Sequence, residues 1–263
     1  VAKNPVPELA WRGFMVDLAQ GFLLPLRSIG LIFATRRLFL LALGSGVVTA
    51  VSLIAMAIGF WPLAQDITAR LLTGEGFWAK GAEVALTVLL YVTLLVIGAL
   101  TIPNMLLAPF GDPISEATEA ACGGFEAPPF TLAGLLRGAL VSVSHTLLRV
   151  LLMLGGIAVL WPLSFVPIVG GVVWVVVSWS WSAFWLAVEH LSTPMARHLY
   201  PFGAVVRVLR QRSGLALGFG AALVLLLWLP IVNLLLLPLA IVAGTLLFRG
   251  LLRIDALPVR RRP

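Results

Sequence analysis

Four long apolar blocks, separated by short polar stretches, dominate the chain. The first, 38–63, is long enough to cross a hydrocarbon core of about 30 Å, which takes around 20 helical residues. Arg36 and Arg37 precede it, and Trp61 stands near its far end, where interfacial aromatics collect. The polar residues Asp66, Arg70, Glu75 and Lys80 predict a loop over 64–83. The second block, 84–107, is a further span whose last turn Pro103 kinks or loosens. Asp112-Pro113 then reads as an N-cap and a first-turn proline, opening a short helix that Gly123-Gly124 ends. Residues 123–130 read as loop.

The third block, 139–188, is broken at its middle by Pro162, Pro167, Gly170 and Gly171 and predicts a helical hairpin. The fourth, 215–248, is interrupted by Pro230, Asn233 and Pro238. Each of its halves, of about 15 residues, would rise only about 22 Å, short of the hydrocarbon thickness. The pattern predicts a hairpin that enters the membrane and turns back, or a broken helix; one long, tilted, kinked helix is the other solution. Ahead of the blocks, a helix over 9–26 would gather Trp11, Phe14, Met15, Leu18 and Phe22 on one face, with Arg12, Asp17 and Gln20 elsewhere and Pro25 near its end. Such a helix lies in the membrane interface or packs on the protein's own helices. In the basic stretch 189–214, Thr193-Pro194 predicts a helix start and Gly214 a stop; 249–263 is a basic tail. Together these make one all-α integral membrane domain: an N-terminal amphipathic helix, two long transmembrane helices, and two helical hairpins that cross the membrane or penetrate it partway.

Composition narrows the function classes. The chain is 60% hydrophobic and only 11% charged, against about 25% charged in an ordinary soluble domain. Its mean hydropathy is +1.06. A soluble enzyme domain is excluded, because lipid must cover part of such a surface. The net charge of +7 does not point to nucleic acid, since the basic residues flank apolar runs, where topology and anionic headgroups account for them. Loop 64–83 holds two basic residues, Arg70 and Lys80. The N-terminal segment holds Lys3, Arg12, Arg27, Arg36 and Arg37, the stretch 189–214 holds Arg197, Arg207, Arg210 and Arg212, and the tail holds Arg249, Arg253, Arg260, Arg261 and Arg262. Both termini are therefore expected on the cytoplasmic side. Cys122 is the only cysteine, so no internal disulfide and no cysteine zinc site is expected. The first 30 residues lack the order of basic region, apolar core and small-residue cleavage site that marks a signal peptide.

Arg36 and Arg37 are the leading candidates for an anion site. They stand at the start of a membrane helix, where unpaired N–H groups and the helix dipole attract negative charge. Their forked donors match the oxygens of a tetrahedral oxyanion, and Thr35 adds a hydroxyl. An ordinary cytoplasmic flank is the competing reading. Glu116 and Glu119, three apart, share a helix face. They line a conduction path or form structural salt bridges with Arg137 or with Arg207 and Arg210, the salt-bridge role being the one expected. His145 and Arg149 are read as snorkelling to the interface. Asn104 and Asn233 are placed to hydrogen-bond backbone groups freed at helix breaks. Glu189, His190 and His198 read as a solvated or capping cluster, not a metal site. No cofactor is expected, and no nucleophile elbow, phosphate-binding glycine loop or catalytic triad points to an enzyme.

Three motifs carry a family resemblance. The stretch "NMLLAPFGDPISEATEAACGG" from Asn104 resembles the signature of the CysZ sulfate-uptake family, which is related to the eukaryotic etoposide-induced membrane proteins; the matching residues are Asn104, Ala108, Pro109, Phe110, Glu116 and Glu119. In "LGFGAALVLLLWLPIVNLLLLPLAIVAGT" the matches are Gly218, Phe219, Gly220, Ala221, Pro230, Asn233, Leu234, Pro238 and Gly244. "QGFLLPLRSIGLIFATRRLFLLAL" has the Gly-Phe start and the paired arginines. The chain departs from the family at Phe33-Ala34-Thr35, where sulfate-transporting relatives tend to carry a glycine. The resemblance implies a transporter or channel for sulfate or a similar oxyanion in the cytoplasmic (inner) membrane, feeding cysteine synthesis and assembled as a homo-oligomer. It also implies that Arg36 and Arg37 are the sulfate-binding arginines. The alternative is a non-transporting membrane scaffold or lipid-organising protein of the same fold.

Overall fold

The computed structural model describes residues 5–9, 13–72, 76–123, 132–167, 169–227 and 236–257. The protein is an all-α integral membrane protein, with no strand among the described residues. Five stretches are long and apolar enough to cross a membrane: Phe14–Ala34, Arg36–Leu71, Phe77–Leu107, Val143–Phe165 and Gly170–Arg197. Contacts divide the chain into two compact units, residues 43–110 and residues 1–42 with 111–263.

The smaller unit contains most of α2 (Arg36–Leu71), all of α3 (Phe77–Leu107) and a 3-10 turn, Ala108–Phe110. Tyr91 on α3 donates to the Ala57 carbonyl of α2 at 3.0 Å and meets the Trp61 ring edge-on at 5.2 Å. Val47, Val51, Ile54 and Ile58 on α2, and Val88, Leu89, Val92 and Val96 on α3, stay exposed and need lipid or another chain to cover them. Most of the expected loop 64–83 is helical instead: α2 continues to Leu71 and α3 begins at Phe77. Hydropathy records which residues face hydrocarbon, and helix formation does not stop where that contact ends. The Asp66–Arg70 pair, four apart and 2.8 Å across, supports the last turns of α2, with its cation at the favourable helix end.

The larger unit contains α1 (Phe14–Ala34), α4 (Gly111–Ala121), α5 (Leu132–Leu160), a 3-10 turn over Trp161–Phe165, α6 (Gly170–Arg197), α7 (Phe202–Gln211), α8 (Ser213–Leu227) and α9 (Leu236–Arg253). The helix expected over 9–26 runs instead from Phe14 to Ala34, with Pro25 buried inside it. Gly13, at φ 93°, stops it on the N-terminal side. Leu24 and Ile32, both buried, carry its inward face past the proline, so packing overrides the local breaker. Trp11 and Arg12 lie outside the described residues, as do Pro230, Asn233, Arg260, Arg261, Arg262 and nearly all of the expected loop 123–130.

The fourth apolar block owes its character to the protein interior. α8 has 15 residues and rises about 22 Å. Its Leu215, Phe219 and Leu223 are buried, as are Val242, Leu246, Leu247 and Phe248 of α9. Three glycines let α8 approach its neighbours: a Cβ on Gly214 would run into the Phe14 backbone of α1, one on Gly218 into that of Leu18, and one on Gly220 into that of Ala183 in α6. Gly214, expected as a helix stop, sits in the first turn of α8 against Phe14 and Asp17; α7 ends just before it, at Gln211. Thr193-Pro194, expected as a helix start, lies within the last turns of α6. Pro194 leaves the carbonyl four residues back, that of His190, without its helical donor, and the backbone of Gly244 packs directly on it.

Candidate anion site

A single non-helical residue creates the candidate site. Thr35 is extended (φ −116°, ψ 108°), and its N–H donates to the Leu31 carbonyl at 3.1 Å, closing α1. Its own carbonyl accepts the Phe39 N–H at 2.9 Å and opens α2. An α-helix leaves its first N–H groups without intrahelical acceptors, and those of α2 belong to Arg36 and its neighbours. Ile32 and Leu38 are buried and pin the two helix ends, while Arg36 and Arg37 are exposed and Thr35 partly so. No acid occupies the first turn of α2, and no carboxylate among the described residues pairs with either guanidinium. The arrangement offers two forked cations, a hydroxyl and a positive helix end to a small oxyanion. Beside it, a cleft of about 910 Å³ along Gly30, Leu31 and Ala34 of α1 carries Arg27 and Arg253, and also Glu8.

Four other arginines, Arg70, Arg149, Arg197 and Arg212, are committed to carboxylates. Arg212, 1% exposed, binds both oxygens of Asp17 in a forked pair, its Nε–Oδ2 distance being 2.8 Å. Arg149 pairs with Glu189, which joins α5 to α6. His145 does not snorkel: it is buried, its ring 5.4 Å from that of Phe202. Glu116 and Glu119 part company on α4. Glu116 is half-buried, whereas Glu119 is fully buried and bound by Arg197 and by His198 Nε2, the latter at 2.9 Å. Arg197 also donates to Ser115 Oγ at 2.8 Å and to the Asp112 carbonyl at 3.1 Å, and the Ser115 and Thr245 hydroxyls are 2.9 Å apart. Burial alone would raise the Glu119 pKa, but the His198 hydrogen bond and the Arg197 charge outweigh it and hold the carboxyl below its ordinary value.

Two of the expected cationic partners of Glu119, Arg207 and Arg210, are thus elsewhere. Arg207 and Arg210 are exposed on α7, and the Arg137 side chain, like that of Asn104, is outside the described set. Spacing revealed the Glu119 face but not its partners, because Arg197 lies 78 positions away. Burial raises the Cys122 thiol to about 11 and makes it a poor nucleophile. No cluster of three metal-ligating side chains exists among the described residues.

Residues 24–238 match the family model described as "Sulfate transporter CysZ/Etoposide-induced protein 2.4". The chain is 28% identical over 162 residues to the sulfate transporter CysZ of Pseudomonas syringae pv. tomato, covering 60% of this chain and 62% of that protein. It is 27% identical over 145 residues to the sulfate transporter CysZ of Salmonella paratyphi A, covering 55% and 57%. The match therefore spans less than two thirds of the length of these curated relatives.

Proposed function

We propose a function from one premise: this chain belongs to the sulfate transporter CysZ/etoposide-induced protein 2.4 family. In this reading it passes sulfate, or an oxyanion of like shape, across the cytoplasmic membrane and supplies sulfur for cysteine synthesis. Both termini face the cytoplasm, several copies assemble, and no catalytic step is involved. Arg36, Arg37 and Thr35 bind the anion where it enters or leaves. The carrying observation is that both guanidinium groups stand exposed at the α2 start, without a carboxylate among the described residues, while Arg149, Arg197 and Arg212 are all ion-paired. Glu119 serves as the anchor of a salt-bridge network and does not touch the anion.

The test is radiolabelled sulfate uptake into liposomes holding the purified protein. Wild type supports uptake, Arg36→Ala/Arg37→Ala abolishes it, and Arg36→Lys/Arg37→Lys keeps the charge but loses affinity, because an ammonium cannot reproduce the forked donors. Uptake untouched by the alanine pair would reduce these residues to topology signals. No uptake by correctly inserted wild type would favour a membrane scaffold of the same fold.

A further inference from the structure

The geometry points to a binding site for an anionic phospholipid in the cleft between α5 and α7. This site is separate from the one assigned to the transported anion. α7 turns Phe202, Ala204, Val205, Val208 and Leu209 inward. Its other face carries Gly203, Arg207 and Arg210, all exposed. Spacings of four and three place these residues in one stripe. No carboxylate among the described residues pairs with either arginine, so the two charges project together from a helix whose other side is sealed in the core.

α5 supplies the other wall. Leu147, Leu148, Leu151, Leu152 and Leu154 are exposed along it, on a stretch apolar enough to cross a membrane. Where this surface meets α7, a cleft of about 550 Å³ opens, with Leu152, Phe202 and Val206 as its apolar wall and Arg207, Arg210 and Gln211 as its polar rim. A soluble anion would use the rim and gain nothing from the apolar wall. A neutral acyl chain would use the wall and gain nothing from two guanidinium groups. An anionic phospholipid uses both. Its phosphate takes forked donors from Arg207 and Arg210, and an acyl chain runs down the leucines of α5. Gln211 adds a donor for a glycerol hydroxyl. Holding a lipid here would fix α7 at the height of the headgroups.

The test titrates dioctanoyl phosphatidylglycerol onto the detergent-purified full chain and reads bound lipid by native mass spectrometry. Each arginine beside an anionic headgroup contributes about fivefold in affinity. Arg207→Gln and Arg210→Gln should each weaken binding about fivefold, and the double variant about 30-fold. Dioctanoyl phosphatidylcholine should bind weakly to wild type and variants alike, and glycerol 3-phosphate, which lacks the chains, should not compete. Arg36→Ala/Arg37→Ala should bind phosphatidylglycerol like wild type, so the lipid readout stands or falls apart from sulfate uptake. Equal binding of phosphatidylglycerol by wild type and the double variant would overturn the proposal. So would competition by glycerol 3-phosphate, which would make the cleft a site for soluble anions.

Discussion

Arg212 and Arg36 show how differently one residue type is used in two regions of this molecule. Arg212 lies at the end of α7, sealed from solvent and forked onto Asp17. Arg36 lies at the start of α2, open to solvent beside Arg37 and without a carboxylate among the described residues. In the first region the charge is neutralised by the fold and is part of its cohesion. In the second it is left available, and a ligand or the membrane surface is what it can act on. Counting arginines as topology signals treats the two alike, although only the exposed kind can report on anion binding.

The sharpest way to break the comparison is to remove one half of the buried pair. Arg212→Ala strands the Asp17 carboxylate and should destabilise the fold by about 3–5 kcal/mol, read as a large fall in thermal midpoint in detergent. Replacing both partners at once, as Asp17→Leu/Arg212→Met, should recover most of that loss, since an apolar pair of similar size leaves no stranded charge. A double variant as unstable as Arg212→Ala would show that the pair does more than cancel its own charges.

A second test addresses the seam that this pair closes. Gly218→Val places side-chain carbon against the Leu18 backbone of α1 and should cost about 1–3 kcal/mol through overpacking. The same change at Gly59, which has open space around it, should be far milder; equal losses would mean the seam is not tight.

Acid titration probes the buried class without mutating an arginine. The Glu119 pKa is depressed in the folded state. Its stabilisation is therefore fully present above the ordinary glutamate value of about 4.3 and is lost as pH falls through the lower folded value. The thermal midpoint should drop over that acid window, and Glu119→Gln, less stable at neutral pH, should show a shallower drop. An identical slope would assign the acid loss to other carboxylates.

The smallest effect on stability belongs to the exposed pair. Arg36→Ala/Arg37→Ala should shift folding by no more than about 0.5 kcal/mol. A large loss of stability would move the pair into the same class as Arg212 and remove the ground for reading it as a ligand site.

Legibility from sequence follows the same division. The apolar blocks at 38–63 and 84–107 were readable because hydrocarbon demands a minimum apolar length. They understated α2 and α3, which continue into polar residues that no hydropathy pattern marks. Thr193-Pro194 and Gly214 are genuine local signals with a tertiary purpose: a carbonyl freed for Gly244 to pack on, and a close approach to α1. The position of Arg36 and Arg37 at a helix start could be read because the pattern changes there within a few residues. The partners of Asp17 and Glu119 could not, since neither periodicity nor spacing relates residues 195 or 78 positions apart.

That 195-residue separation has a consequence for biosynthesis. At about 5–20 residues per second, the ribosome delivers α1 some 10–40 s before it delivers Arg212 and α8. Through that interval the Asp17 carboxylate has no guanidinium, and the face of α1 that will receive Gly214 and Gly218 has nothing to pack on. Burying α1 at once would leave a charge alone in hydrocarbon. The favourable course is for the newborn helix to wait at the headgroup level, its acid in water, until the last fifth of the chain emerges and closes over it. Assembly of this fold is thus timed by its C-terminal helices, and a chain truncated before Arg212 would hold its first helix permanently in waiting.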